Sequence, residues 1–479
     1  MTGCLRRSGR TILLAIAVFA MAATTVRAQS PIVIRNVTTV DVQTGSLRPA
    51  QTVIIEGTRT KTMGEAAQLA TPKGARIVDG TGKFLIPGLW DMHVHATGPG
   101  VDRLFLPVLV ANGVTGVRVM WGDPRHFARR KQIADGTLVG PRLALAGAIV
   151  DGPKPYWPGS IAAATAADGR DAVRRTQEEG YDYVKVYSSL PREVFLAIAD
   201  EAKKRGIPFI GHVPDAVRVE DASDAGMKSM EHLLGLVLAV SGAETELRGE
   251  LAASEKLPPG PERAALLRSL GARNLESYDA DKAAALYAKF KANGTWQVPT
   301  FTVLHYGAFP RAAQYANDPR LRYMPPGLRS RWTNDVRSRE QTPVQFAEQQ
   351  RFFQRRLELV GEMHRAGVGI LAGSDTPNPY CFPGFSLHDE LEWLVKAGLT
   401  PLASLQAATR NPALYLGRVQ DFGSVAPGRL ADLVLLDADP TADIRNTRQI
   451  SAVIANGKLH AREALDRMLA EIEQMARSP

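Results

Sequence analysis

Cysteine is nearly absent from this sequence. The chain of 479 residues contains two cysteines, Cys4 and Cys381. Cys4 falls within the N-terminal leader described below, so the rest of the chain has one thiol and cannot form an internal disulfide. One thiol also cannot build a thiolate metal cluster. A disulfide-stabilised scaffold and a thiolate cluster are both excluded.

Long hydrophobic runs are also missing. The apolar segment 11–23 follows Arg6, Arg7 and Arg10 and has 13 residues, whereas a membrane-spanning helix needs about 20. Small residues stand at positions 26 and 28, the two positions that signal peptidase reads. We interpret residues 1–28 as a signal peptide cleaved after Ala28, with a short membrane anchor as the alternative. This interpretation predicts a periplasmic or secreted protein without stable membrane association.

A concentrated basic surface is absent as well. The formal net charge of +9 falls to +5 without the four arginines of the leader. The basic residues are scattered in amphipathic stretches such as 351–365, with no basic stripe interleaved with aromatics. Solvated helix faces explain this pattern better than nucleic-acid binding. A small-molecule substrate is the expected partner, and association into a homo-oligomer is left open.

Strand-rich segments occur at both ends of the chain. Residues 31–86 and 423–460 contain short apolar runs separated by turns with Gly and Asp, which is typical of β-strands. They predict one small β-sandwich domain built from both termini. Its N-terminal part is 29–84, and its C-terminal part is 417–479, which ends in a helix.

The middle of the chain alternates between strand and helix patterns. Strand–helix units that repeat eight times predict an α/β fold, a (β/α)8 TIM barrel, over residues 85–416. Apolar residues at a spacing of three and four predict helices at 191–206 and 346–367. A longer connection, 241–293, is predicted as a helical insertion over one barrel face. The predicted barrel strands are 85–92, 116–120, 142–146, 183–187, 208–213, 229–233, 297–303 and 367–372.

Two histidines close the first predicted barrel strand. His93 and His95 are two residues apart, so in a strand both side chains leave the same face. The carboxyl ends of the strands form the mouth where the active site of such a barrel lies. Two imidazoles there provide half of a metal site.

Three further polar residues end later predicted strands. His212, His232 and Asp375 follow apolar runs and correspond to the ends of strands five, six and eight. Each alone could be a packed core residue, and helix capping is a strong alternative for Asp375. Their shared placement predicts that they meet His93 and His95 at one centre. The remaining histidines lack this placement and are assigned to surface or packing roles: His126, His305, His364, His388 and His460.

A lysine interrupts the fourth predicted strand. Lys185 lies in the apolar run 181–187 and points opposite to Val184 and Val186. Burial disfavours the charged amine and lowers its pKa. A neutral amine can react with carbon dioxide to form a carbamate, an anion able to bridge two metal ions. The alternative is a lysine paired with a carboxylate.

Together these segments resemble the amidohydrolase superfamily, in the branch of imidazolonepropionase-like and Xaa-Pro dipeptidase-like hydrolases. The resemblance covers nearly the whole chain after the leader, with its motifs in the family's order. The strand-eight motif reads GSDT where GTD is commoner, which leaves the aspartate in place. The matching segments are LIPGLWDMHVH, GVTGVRVM, GYDYVKVY, PFIGHV, SMEHL, LAGSDTP, TPLASLQAATRNPALYLG and FGSVAPGRLADLVLLDADP.

The resemblance implies a centre of two divalent metal ions, usually zinc. One ion would be held by His93, His95 and Asp375. The other would be held by His212 and His232, and carbamylated Lys185 would bridge the two ions.

The implied reaction is hydrolysis of an amide in a dipeptide, an N-acyl amino acid or a cyclic amide. A hydroxide shared by the two ions would attack the carbonyl, and Asp375 would carry the proton to the leaving amine. Tyr187 shares the inward face with Lys185 and could donate a hydrogen bond to the oxyanion; a packing role at the rim is the alternative.

Three other functions stay open at this point. They are a lactone, ester or carbamate hydrolase on the same centre, a mononuclear deaminase, and a catalytically inert binding protein. Tyr380 and Cys381 follow Asp375 closely and are candidates for lining the pocket. Cys381 is interpreted as an inert thiol because no base is assigned to it.

Overall fold

A computed structural model describes residues 30–65, 68–98, 100–310, 313–338 and 342–477. The predicted signal peptide and Cys4 lie outside the described residues. Within them, none of the helices combines the length and the apolar character needed to cross a bilayer.

The described residues form strands and helices in the following order. The strands are β1 (Ile32–Val40), β2 (Leu47–Glu56), β3 (Arg59–Glu65), β4 (Arg76–Asp79), β5 (Phe84–Pro87), β6 (Leu89–Val94), β7 (Val114–Val119), β8 (Arg142–Asp151), β9 (Ile161–Ala162), β10 (Tyr183–Val186), β11 (Phe209–Gly211), β12 (Ser229–Glu231), β13 (Trp296–Val298), β14 (Leu433–Leu436), β15 (Ile450–Ala455) and β16 (Lys458–Ala461). The α-helices are α1 (Leu106–Ala111), α2 (Arg125–Ala134), α3 (Ala166–Glu178), α4 (Arg192–Arg205), α5 (Val219–Asp224), α6 (Leu236–Ala239), α7 (Glu244–Ser254), α8 (Pro261–Glu276), α9 (Ala280–Asn293), α10 (Phe301–Ala308), α11 (Ala313–Ala316), α12 (Pro326–Ser338), α13 (Pro343–Ala366), α14 (Phe385–Lys396), α15 (Pro401–Ala407), α16 (Arg410–Tyr415) and α17 (Arg462–Arg477). A π-helical turn spans Val101–Phe105, and 3₁₀ turns span Pro319–Tyr323 and Ile444–Arg448.

Both ends of the chain contribute to one sheet. Its strand order is β16-β15-β14-β5-β1-β2-β3, with β4 beside β1. The first half of β1 pairs with β4 and its second half pairs with β5, so β1 joins two parts of the sheet. Side chains from β1, β2, β5, β14 and β15 pack into a common apolar core. The predicted β-sandwich domain from both termini is confirmed.

The central part of the chain forms a parallel barrel. Its strands pair in the order β6-β7-β8-β10-β11-β12-β13. The segment 370–376 completes the barrel through parallel bridges from Ile370 to Gln297 and from Thr376 to Val94. The predicted (β/α)8 barrel is therefore confirmed, with its eighth strand reduced to isolated bridges.

The barrel strands alternate between two apolar layers. Val184 and Val186 in β10 pack with the surrounding helices, whereas Tyr183 packs inside the barrel with residues such as Met92 and Ile210. Period-two alternation thus sends Lys185, which follows Val184, to the interior. The sequence-based orientation of this lysine agrees with the structure.

The predicted strand 85–92 is two strands rather than one. The break is at Gly88, whose N–H donates to Asp432 O in the terminal sheet at 2.7 Å, whereas Leu89 N donates to Gly113 O of the barrel at 3.0 Å. A Cβ at Gly88 would overlap the side chain of Thr115. The chain therefore changes sheets at a residue without a side chain, and the barrel begins at Leu89.

The predicted strand 297–303 also differs from the structure. Only Trp296–Val298 is extended, and α10 begins at Phe301. Thr300 between them has φ +52°, a left-handed conformation that ends a strand. The insertion predicted at 241–293 contains three helices, α7, α8 and α9.

The tight barrel interior predicts opposite effects for two glycine substitutions. A Cβ on Gly116 would overlap the Trp90 indole, whereas a Cβ on Gly249 in α7 meets nothing within 4 Å. We expect Gly116→Ala to lower the free energy of unfolding by about 1–3 kcal/mol through overpacking. Gly249→Ala should raise it by roughly 0.5–1 kcal/mol through helix propensity. Urea titrations of both variants test this, and equal effects would contradict it.

Candidate metal centre

The predicted ligands at the strand ends lie at one mouth of the barrel. His93 is in β6 and His95 follows that strand. His212 and His232 directly follow β11 and β12. Asp375 lies in the segment that closes the barrel. In a parallel barrel these strand ends all face the same side.

Asp375 lies among the imidazoles of this mouth. Its Oδ1 is 3.3 Å from His93 Nε2 and 3.0 Å from His95 Nε2, and its Oδ2 is 3.8 Å from His232 Nδ1. The ring of His232 lies 4.7 Å from that of His93 and 4.8 Å from that of His212, between centroids. The structure thus brings all five residues together. One ligand atom from each of His93, His232 and Asp375 falls within 4.8 Å of the other two.

Lys185 reaches the same mouth from β10. It is 1% exposed, and burial lowers its pKa to about 8. Burial lowers the pKa of His93 and of His212 well below the ordinary value, and the nearby charge of Lys185 lowers both further. A Cβ at Gly211, which has φ +129°, would stand 3.0 Å from Lys185 Cδ. The glycine therefore leaves space for the lysine side chain.

A buried carboxylate orients His93. Glu231 Oε2 lies 2.8 Å from His93 Nδ1, and Glu231 Oε1 accepts a hydrogen bond of 2.8 Å from Arg118. An ionised carboxylate only accepts, so Nδ1 carries the proton and the Nε2 lone pair is directed away from Glu231. Burial opposes the charge of Arg118, but Glu231 raises the pKa of this arginine above its ordinary value. Carboxylates that orient histidine ligands in this way are common around metal sites.

Hydroxyl groups fix the orientation of two other histidines. Thr300 Oγ1 is 2.7 Å from His232 Nδ1 and donates its own proton to Pro299 O at 2.7 Å. Thr300 therefore accepts from His232, whose Nε2 keeps a free lone pair. His212 Nδ1 lies 2.8 Å from Ser188 Oγ. Both residues of the His232–Thr300 hydrogen bond have a left-handed backbone conformation, with φ +62° at His232 and φ +52° at Thr300.

The charges at the mouth suit cation binding. Burial lowers the pKa of His232 to about 4, so its ring is neutral near pH 7. Burial opposes ionisation of Asp375, but His232, His95 and Lys185 outweigh it and lower the pKa of this carboxyl. Neutral imidazoles and an ionised carboxylate are the forms that coordinate metal.

A second buried carboxylate connects the first and eighth strands. Asp91 accepts hydrogen bonds from Ser374 N at 2.9 Å, Ser374 Oγ at 2.5 Å and His93 N at 3.2 Å. Burial raises its pKa to about 7. Asp91 therefore holds the backbone next to both His93 and Asp375.

Tyr187 lies beside His212 at the rim. The two rings stack at 3.9 Å between centroids, and the Tyr187 hydroxyl accepts a hydrogen bond of 2.8 Å from Trp157 Nε1. Burial raises the pKa of Tyr187 to about 12, so the hydroxyl stays protonated. Because its oxygen accepts from Trp157, its proton is available to another acceptor.

The other candidate residues contact groups other than the clustered imidazoles. His388 is buried and bonds Thr447 Oγ1 at 2.9 Å and Asn112 O at 3.0 Å. Tyr380 packs in an aromatic cluster with Tyr306 and others. Cys381 is buried, and burial raises its thiol pKa well above the ordinary value, which suits an inert thiol.

Sequence reasoning missed the residues that orient the ligands. Glu231 and Arg118 are charged residues inside apolar strand runs, as Lys185 is, and that signal could have found them. Asp91 stands two residues before His93 and offered a similar signal. Thr300 offered none, because its contact with His232 depends on the turn after β13.

Comparisons with known proteins find similarity to amidohydrolases and related hydrolases. The model of the amidohydrolase family matches residues 338–460. Adenine deaminase 2 of Rhizobium meliloti strain 1021 is 25% identical over 92% of this chain and 59% of its own length. The solved bottromycin amidohydrolase is 25% identical, covers 93% of this chain and 90% of its own, and superimposes with a TM-score of 0.72. A candidate prolidase from Bifidobacterium longum, 22% identical, shares the fold over 93% of this chain and 99% of its own with a TM-score of 0.68.

The family model, the deaminase and the solved amidohydrolase together support the amidohydrolase superfamily for this chain. The chain spans about three fifths of the length of the deaminase, 59%. The family match covers the segment with Asp375 and the strands that follow it.

The residues present fit the divalent metal that this superfamily generally uses. His93 Nε2, His95 Nδ1 and Asp375 Oδ1 are buried and lack a hydrogen-bond partner among the described residues. Buried polar atoms are nearly always hydrogen-bonded, so three such atoms in one cluster fit the binding of a cation. His93, His95, His232 and Asp375 together provide nitrogen and oxygen ligands of the type that zinc accepts.

The ligand set predicts how metal content responds to Lys185. Protein purified with bicarbonate and without chelator should hold about two zinc ions per chain. Lys185→Ala should lower this number, because it removes the amine whose carbamate would bridge the two ions. His364 is on α13 outside the cluster, so His364→Ala is the matched control. This variant should bind as much zinc per chain as the unmodified protein does. Elemental analysis measures the content; about one ion per chain, insensitive to Lys185, would reject the bridge.

Proposed function

We propose that this protein is an exported, binuclear metal-dependent amidohydrolase that cleaves the amide bond of dipeptides or N-acyl amino acids. The observation that supports the proposal is the cluster of His93, His95, His232 and Asp375 with buried Lys185 beside it. Export rests on the sequence pattern of residues 1–28. Zinc is the proposed metal because the ligands are imidazole and carboxylate groups.

Two ions held by the five ligands and carbamylated Lys185 would polarise the carbonyl and lower the pKa of water. The protein side chains then manage protons. Asp375 is ionised and accepts the proton that water loses as its oxygen attacks the carbonyl carbon. The C–N bond breaks when the amine nitrogen takes that proton from Asp375. The products are a carboxylic acid and a free amine.

Tyr187 is proposed to stabilise the negative charge that develops on the carbonyl oxygen. Its hydroxyl proton is available, and its ring is fixed on His212 at 3.9 Å between centroids. A fixed donor costs no reorganisation during the reaction.

One arginine near the centre supports a substrate with a carboxylate. Arg356 is on α13, which packs against α10 just after Thr300. The side chain is half-buried, and its Nε is buried without a hydrogen-bond partner. Its guanidinium lies 5.9 Å from the centroid of the Phe352 ring, and within the described residues it forms no ion pair with a carboxylate. Burial lowers its pKa to about 10, and its charge contributes to lowering the pKa of His232. A partly buried cation without a counter-ion is unfavourable, and a substrate carboxylate would supply one.

A deaminase is the second candidate, because curated relatives include adenine deaminases. A mononuclear deaminase needs no bridging lysine, so the buried Lys185 favours the first proposal. Ammonia release from adenine, compared with amino acid release from N-acyl substrates, separates the two. Lactones, esters and carbamates remain substrates that the same centre could attack.

The proposed role of Arg356 predicts a selective effect on substrate binding. Arg356→Met should raise KM for N-acyl amino acids roughly 30-fold or more, because the charge pair with the substrate carboxylate is lost. The corresponding N-acyl amino acid amides, which lack the carboxylate, should be hydrolysed equally by both proteins. Arg355→Met is the control, since Arg355 pairs with Glu358 at 2.9 Å. Equal losses for acids and amides would contradict the role.

The proposed role of Tyr187 predicts an effect on kcat. Tyr187→Phe keeps the stacked ring and removes the hydroxyl, so kcat should fall about 100-fold or more while KM changes little. Tyr181→Phe removes a hydroxyl in the barrel–helix layer and should leave kcat unchanged. An unchanged kcat/KM in Tyr187→Phe would reject the role.

A further inference from the structure

Aromatic side chains continue from the metal centre to solvent on one side of the mouth. Trp121 lies 6.4 Å from His95 and 5.9 Å from Trp157, between ring centroids. Tyr156 lies 4.9 Å from Trp157 in an edge-to-face arrangement. The side chains come from the connections after β7 and β8. We call Trp121, Tyr156, Trp157 and Tyr187 the aromatic wall.

Tyr187 links the aromatic wall to a second metal ligand. Its ring stacks on His212, and its hydroxyl accepts from Trp157 Nε1. The wall therefore touches the centre at both His95 and His212, so a group lying on it would be next to the reacting carbonyl.

The backbone holds the outer part of the wall rigidly. Tyr156 and Trp157 stand between Pro155 and Pro158, with Pro153 just before, and proline fixes φ. The buried Asp151 accepts hydrogen bonds from Tyr156 N at 3.0 Å and from Ser189 N at 2.8 Å. One carboxylate thus ties the connection after β8, which carries Tyr156 and Trp157, to the connection after β10, which carries Tyr187.

The outer aromatics are unusually exposed for such a rigid segment. Tyr156 is 71% exposed and Trp157 is 39% exposed, whereas Tyr306 and Tyr380, elsewhere in the chain, are buried. Exposed apolar surface beside a functional centre marks a binding site. Rigid aromatics bind with little loss of side-chain entropy.

We infer that the aromatic wall binds an aromatic or large apolar acyl group of the substrate. This inference rests on the proposed amide hydrolysis and specifies its substrate. The wall lies on the side of β7, β8 and β10, whereas Arg356 lies on the side of His232, which follows β12. A substrate that spans the centre therefore has its carboxylate at Arg356 and its acyl group at the wall.

A series of N-acyl alanines tests the inference in the zinc-loaded full-length enzyme. The acyl groups are acetyl, benzoyl and 2-naphthoyl, and the alanine is constant. Burial of an aromatic group is expected to raise kcat/KM at least about 10-fold from acetyl to 2-naphthoyl. Trp121→Ala and Trp157→Ala should bring this ratio close to one. Trp157→Phe keeps an aromatic ring but loses the hydrogen bond to Tyr187, so it should keep most of the ratio.

A binding measurement separates this inference from the proposed function. Equilibrium dialysis of 2-naphthalenemethanol, which has neither a carboxylate nor an amide bond, measures binding to the wall without turnover. Binding should be lost in Trp121→Ala and kept in Trp393→Phe, since Trp393 lies in another aromatic cluster with His305.

The two measurements give distinct outcomes. If no N-acyl alanine is hydrolysed but binding of 2-naphthalenemethanol depends on Trp121, the subsite stands and the proposed function fails. If the acyl alanines are hydrolysed at rates independent of acyl size, and Trp121→Ala binds 2-naphthalenemethanol as the unmodified protein does, the proposed function stands and the subsite is rejected. A ratio that falls equally in Trp157→Phe and Trp157→Ala would assign the preference to the hydrogen bond and overturn the binding role of the ring.

Discussion

The buried ion pair between Arg118 and Glu231 is the interaction on which the candidate centre depends. Both side chains are 0% exposed, and Arg118 also bonds Met92 O, Ser229 Oγ and the Tyr415 hydroxyl. Burying two charges is costly unless their remaining donors and acceptors are satisfied. Here they are satisfied, and the second oxygen of Glu231 remains available to orient His93.

This ion pair joins distant parts of the barrel. Arg118 comes from β7 and Glu231 from β12, so the pair crosses the barrel interior. Asp91 makes a similar connection between β6 and Ser374. The predicted ligands are therefore held by strands whose relative positions are fixed by buried charge and hydrogen bonds, as a preorganised site requires.

The fold and the ligand placement could be predicted because parallel strands end on one side. Alternating apolar residues locate each strand and its inward face, and a polar residue at its end must then face the mouth. That reasoning located His93, His212 and Lys185. It could not locate Thr300, because a left-handed residue turned a predicted strand into the start of α10. It also could not choose Arg356, because the sequence does not show which arginine lacks a partner.

Charge pairing distinguishes the buried charged residues with a structural role from those proposed to bind a ligand. Arg118 is as buried as Lys185, but its charge is matched by Glu231. Lys185 and Arg356 form no ion pair with the described residues, and burial lowers the pKa of both. A positive Lys185 would repel metal ions bound by His93 and His212, whereas a carbamate would attract them. The proposed chemistry therefore requires the charge of the Lys185 side chain to change from positive to negative through carbamylation. It also requires Arg356 to stay positively charged until a substrate carboxylate binds.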